Sequence, residues 1–102
     1  MWTVCSTKPG QLTLALVNLA RQGYSTFNPS FERRKLDRRH KLVVVNESLF
    51  PRYLFVEILK DQRWVPIRST YGINKLLTRP AADSEYLEPA VIADSFIRAL
   101  SV

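Results

Sequence analysis

A chain of 102 residues holds one domain with one core, and its 46% apolar and 11% aromatic content excludes a disordered tail. Its net charge of +6 favours an anionic partner. No apolar run approaches the roughly 20 residues that cross a bilayer, and the N-terminus lacks a charged segment followed by a hydrophobic one, so a cytoplasmic protein without membrane association is expected.

Trp2–Ser6 reads as a first strand, with Cys5 as a small buried residue in it; one cysteine cannot form an intramolecular disulfide. Thr7 offers an N-cap and Pro9 a first-turn residue, and Leu12, Ala15, Leu16 and Leu19 fall on one helical face. The spacing predicts a helix over Pro9–Gln22, with Gly23 ending it. Tyr24–Asn28 follows as a strand stopped by Pro29. Residues 32–41 hold six basic residues against two acidic ones, and Leu42–Val45 reads as the next strand, so a hairpin with a projecting basic tip is expected. Asn46–Ser48 is expected to turn the chain into Leu49–Leu59, the strongest strand. Trp64–Arg68 and Ile73–Leu77 read as short strands around a Thr70-Tyr71-Gly72 turn, and Pro80–Glu88 as a loop. Pro89 is expected to open a last helix carrying Ile92, Phe96, Ala99 and Leu100. The sum is an α+β sandwich, a mainly antiparallel sheet of about four strands flanked by helices.

Catalysis has little support. His40 sits in the basic run without a partner, no Cys/His cluster has metal-ligand spacing, and three glycines make no phosphate loop. Asp83, Glu85 and Glu88 precede the expected last helix, whose dipole accounts for them better than a carboxylate pair does. No cofactor is expected. The basic run 32–41 instead suits nucleic acid phosphates, or serves simply as a solvated loop.

Within Pro51–Ile58 a period of two puts Leu54, Val56 and Ile58 on one face and Pro51, Tyr53 and Phe55 on the other. Both faces are apolar. Either helices cover the strand on both sides, or one face awaits a partner.

Four blocks resemble the N-terminal (NGN) domain of NusG/RfaH-type transcription elongation and antitermination factors. They are Trp2 with Thr7-Lys8-Pro9, then Asn18–Tyr24, then Leu49-Phe50-Pro51-Arg52-Tyr53-Leu54-Phe55-Val56, then Arg68–Ile73. Their order and spacing match across essentially the whole chain, and details lean toward the specialised RfaH-like paralogues. The resemblance implies a domain that docks on the clamp helices of the largest RNA polymerase subunit, resists pausing and increases processivity. The docking cavity would be lined by Phe50, Pro51, Tyr53 and Phe55. In the RfaH-like branch, positions matching Lys8, Arg21, Gln22, Thr70 and Tyr71 would contact the non-template DNA strand, while Arg33, Arg34, Arg38 and Arg39 would meet upstream duplex. Such factors continue into a KOW-type β-barrel that contacts the ribosome or Rho. The 102 residues hold no such domain, and are read as the first domain of a longer protein in preference to a naturally short one, with a monomer expected.

This sequence departs from the family pattern in places. Thr3 and Ser6 stand where aromatics are common, Ser48 where a proline usually precedes Leu49, and Arg79-Pro80-Ala81 where an aromatic–glycine pair is usual. Arg63-Trp64-Val65 does not match the polar motif that contacts the opposite polymerase lobe, so that contact is not carried over. The competing reading is a small basic RNA-binding, ribosome-associated protein whose aromatic strand stacks bases.

Overall fold

The computed structural model describes residues 1–82 and 86–101. The elements follow the order β1 (Trp2–Thr7), α1 (Leu12–Arg21), β2 (Ser25–Phe27), β3 (Ser30–Leu36), β4 (Leu42–Ser48), β5 (Tyr53–Glu57), α2 (Val65–Arg68), β6 (Ile73–Leu76), β7 (Thr78–Pro80), β8 (Leu87–Pro89) and α3 (Asp94–Leu100). Four strands form one antiparallel sheet in the order β2-β5-β1-β6, with β3–β4 and β7–β8 as separate hairpins. This is the expected α+β architecture.

The register sorts the core. Thr3 lies opposite Val56, Val4 opposite Phe55, and Cys5 opposite Leu54. Side chains alternate along a strand, so Cys5, Leu54 and Val56 share one face with Ile58. They pack with Ala15 and Leu19 of α1, Tyr24, Ile67 of α2, and Ile73 and Leu76 of β6. Leu54 and Val56 are fully buried, each contributing about 1.5–3 kcal/mol of transfer free energy. On the opposite face Val4 and Phe55 pack under Ile97 of α3, flanked by Trp2, Phe27, Ile92 and Leu100. Helices therefore sit on both faces, and the two open alternatives are each right in part. α3 covers Phe55, while Tyr53 at the strand's start is left 45% exposed.

Several boundaries move. Thr7 does not cap α1; it is buried at the end of β1, where its N–H donates to the Arg52 carbonyl at 2.7 Å. Pro9 and Gly10 instead form a turn in which the Gln11 N–H meets the Lys8 carbonyl at 3.0 Å, and Gly10, at φ +72°, breaks the helical path so that α1 starts only at Leu12. Gly23 ends α1 as expected, with φ +87°. Asn46–Ser48 is the end of β4, and the reversal falls at Phe50–Tyr53.

Val65–Arg68 is one helical turn, because Pro66 in its first turn fits helical φ and needs no hydrogen-bond donor there. Pro89 closes β8, and α3 starts only at Asp94. Glu88 does not sit at a helix N-terminus: it pairs with Arg79 across the β7–β8 hairpin at 3.0 Å. Part of the expected Pro80–Glu88 loop is thus strand, and the helix-dipole expectation for Asp83 and Glu85 lies outside the described residues.

Candidate functional site

The reversal before β5 is a tight turn in which the Tyr53 N–H donates to the Phe50 carbonyl at 3.1 Å. Pro51 supplies its second residue. Arg52 takes the third at φ +69°, a conformation that costs a non-glycine residue about 1–2 kcal/mol. The turn holds Phe50, Pro51, Arg52 and Tyr53 exposed at one end of the sheet.

Beneath them runs a chain of rings. Phe55 lies 5.9 Å from Phe50, 6.0 Å from Phe96 and 6.2 Å from Phe27, and Trp2 continues the series at 6.4 Å from Phe27. These are edge-on or tilted contacts in the favourable range for aromatic pairs. Phe55, only 5% exposed, is the hub of this network and offers little surface of its own. Of the four residues expected to line a docking cavity, Phe50, Pro51 and Tyr53 are presented and Phe55 braces them. Phe96 is the residue that sequence reasoning missed as a site. It is 44% exposed and lies 6.5 Å from Phe50, so the apolar surface continues from the turn onto α3. Its helical stripe marked it as core, and nothing in the sequence indicated that α3 would cross beside Phe50.

A second cluster forms where the Thr70-Tyr71-Gly72 turn runs along the flank of α1. Gln22 Nε2 donates to Thr70 Oγ1 at 2.8 Å and to the Asn18 carbonyl at 3.0 Å; Thr70 Oγ1 in turn donates to the Pro66 carbonyl at 3.0 Å. Both amide protons of Gln22 are thereby committed, leaving Oε1 as its outward-facing acceptor. Thr70 is buried, so it positions Gln22 more than it presents itself. Tyr71, by contrast, is 76% exposed. The Gly72 carbonyl accepts from the Lys8 N–H at 2.9 Å, which brings the Lys8 loop to the same turn. Lys8 and Arg21 are both exposed. Gly72 itself has φ +91° and lies so close to α1 that a Cβ would stand 2.7 Å from the Ala15 nitrogen. Only glycine lets the two backbones meet there.

The third feature is the β3–β4 arm, along which every residue of β3 is exposed. Asp37 organises its tip, accepting from the Arg39 N–H at 2.8 Å and the Lys41 N–H at 2.9 Å. Arg38, Arg39 and Lys41 are thus held out in solvent. Arg33 is partly spent on Glu47 across the ribbon at 3.3 Å, whereas Arg34 lies on the other face. The molecule as a whole measures 57 × 28 × 23 Å. Cys5 joins none of these features: burial pushes its thiol up to about 12, as for an inert core residue.

An exposed aromatic turn, a polar turn beside a helix end and a cationic arm are the three surface features that this α+β domain presents. Residues 1–101 match the family described as "Transcription termination factor nusG". The chain belongs to the NusG family of transcription factors, which are not enzymes and have RNA polymerase as their partner. No helix among the described residues is long and apolar enough to cross a membrane.

Proposed function

We propose that this domain binds the clamp helices of the largest RNA polymerase subunit through Phe50, Pro51, Tyr53 and Phe96, with Phe55 beneath them, and acts as an elongation and antitermination factor in the cytoplasm. The observation that carries the reading is the strained Phe50–Tyr53 turn, which holds two aromatic rings partly exposed at one end of the sheet. Clusters of this kind supply hot spots worth about 2 kcal/mol or more per residue in protein interfaces.

The Gln22–Thr70–Tyr71 cluster would meet the non-template strand. Tyr71 is free to stack on an unpaired base, and Lys8 and Arg21 supply phosphate attraction. With its amide protons committed, Gln22 would accept through Oε1 from an N–H or amino group on the edge of an unpaired base. The lean toward the specialised RfaH-like branch rests on these positions matching the DNA-contacting residues that the resemblance implies. Arg34, Arg38 and Arg39, with Arg33 secondary, would touch upstream duplex without reading its sequence.

The test is capture of a purified clamp-helix fragment by the chain, with free RNA as competitor. Saturable capture that RNA does not displace is expected. Failure to bind the fragment, together with tight RNA binding lost on Tyr53→Ala, would establish the RNA-binding alternative instead.

A further inference from the structure

Beside the aromatic turn lies a cleft of about 580 Å³ whose lining includes Ser6, Pro51, Arg52, Tyr53, Lys75 and Thr78. It opens where the β1–β6 register breaks between Ser6 and Thr7, an irregularity of the kind that re-aims side chains at strand ends. Its polar floor is tied together. Asn74 Nδ2 donates to Ser6 Oγ at 3.3 Å, and Ser6 Oγ donates to the Lys75 carbonyl at 3.4 Å. Ser6 is small, which leaves the space above it open.

Among the described residues, two cations line this cleft and no carboxylate does. Neither Arg52 nor Lys75 forms an ion pair among the described residues, although the chain's other hairpins spend arginines on Glu47 and Glu88. Arg52 is placed at the cleft by the left-handed residue of its turn, and such strain is retained where the surroundings require it. Lys75 also borders a second, smaller cleft with Arg68, so the positive lining continues along the open edge of β6.

We infer that this cleft receives an acidic side chain from the protein that docks on Tyr53, paired with Arg52 and Lys75. The inference rests on the polymerase-docking reading and adds the chemistry of its specificity. Pro51 and Tyr53 line both the cleft and the docking surface, so whatever covers those residues also covers the cleft mouth. A partly desolvated carboxylate there would meet two cations and the hydroxyl of Thr78. A nucleic acid phosphate would satisfy the same cations, but would not explain the shared apolar wall.

The experiment is a titration of the purified clamp-helix fragment with wild type, Arg52→Gln and Lys75→Gln, at about 50 and about 300 mM salt. All three proteins should melt alike, since both side chains are exposed. Each substitution should weaken binding about 3- to 10-fold at low salt and flatten its salt dependence. Neutralising the fragment's Asp and Glu residues one at a time should identify one whose loss matches that of Lys75→Gln and adds nothing to it in the double variant. Wild-type capture that neither substitution alters overturns the pairing and leaves docking intact. If Lys75→Gln instead weakens only single-stranded oligonucleotide binding, the cleft belongs to nucleic acid and the inference is overturned. No capture by wild type overturns docking and the pairing together.

Discussion

Replacing Gly72 by alanine tests how the polar turn is held against α1. A Cβ at this position would stand 2.7 Å from the Ala15 nitrogen, 2.8 Å from the Gln11 carbonyl oxygen and 3.0 Å from the Ala15 Cα. All three are backbone atoms, so no side chain can rotate away, and the turn and helix must separate. Such overpacking costs about 1–3 kcal/mol. The φ of +91° adds about 1–2 kcal/mol for a residue bearing a Cβ, partly offset by the roughly 0.4–1 kcal/mol that alanine saves in the unfolded chain. Gly72→Ala should therefore destabilise the domain by about 2–4 kcal/mol. For a domain of this size that lowers Tm by about 10–25 °C.

Gly10→Ala is the matched control. It has φ +72° but nothing within 4 Å of its Cβ position, so only the conformational cost remains, at about 1 kcal/mol. Urea unfolding of both variants separates the close approach from the dihedral. Equal losses would refute the argument that backbone contact with α1 fixes the Thr70–Gly72 turn.

The buried thiol of Cys5 predicts a pH dependence. Its pKa rises from 9.0 to about 12 on folding, so above pH 9.0 the unfolded chain loses this proton while the folded one keeps it. Stability from this group is intact below 9.0 and falls at up to about 1.4 kcal/mol per pH unit up to about 12, a slope that Cys5→Ala should remove when the two pH profiles are subtracted. Phe55→Ala should cost about 3–5 kcal/mol in denaturant unfolding because it empties the hub of the ring chain, whereas exposed Tyr53→Ala should stay within about 1 kcal/mol. Arg52→Gly should stabilise the fold by up to about 1 kcal/mol by removing the left-handed strain, yet weaken capture of the clamp-helix fragment. Removing the charges of Arg34, Arg38 and Arg39 together should lower the salt slope of duplex DNA binding by about 3 without altering Tm, measured by titration across salt concentrations.

Much of the fold was legible because its strongest patterns are local. The α1 stripe, the glycine after it, the alternation of β5 and the basic hairpin each state their own geometry. The misreadings came from proline and from pairing. Pro66 starts a helical turn, Pro51 sits in a reversal and Pro89 ends an edge strand; the residue permits all of these, and only tertiary partners decide among them. Thr7 looked like a cap because Pro9 follows it, but it pairs with Ile73 of β6 and bonds the Arg52 carbonyl just before β5.

Of the candidate site, the parity of β5 was legible. Tyr53 and Phe55 do share the face opposite Leu54 and Val56. Whether that face was open depended on where α3 crosses, and no local signal carries that information. The crossing turns Phe55 from surface to support and adds Phe96 to the surface. In the same way, Gln22 and Thr70 were named separately from the resemblance, and their hydrogen bond is a consequence of packing across 48 residues of chain.

The most direct test of the docking account is the affinity of the clamp-helix fragment for Tyr53→Ala and Tyr71→Ala measured side by side. Both tyrosines are exposed aromatic residues on turns or strand ends, so loss of stability does not distinguish them. The account predicts at least about a 30-fold loss for Tyr53→Ala, equivalent to about 2 kcal/mol, and no change for Tyr71→Ala. Equal affinities for both variants and wild type would contradict it.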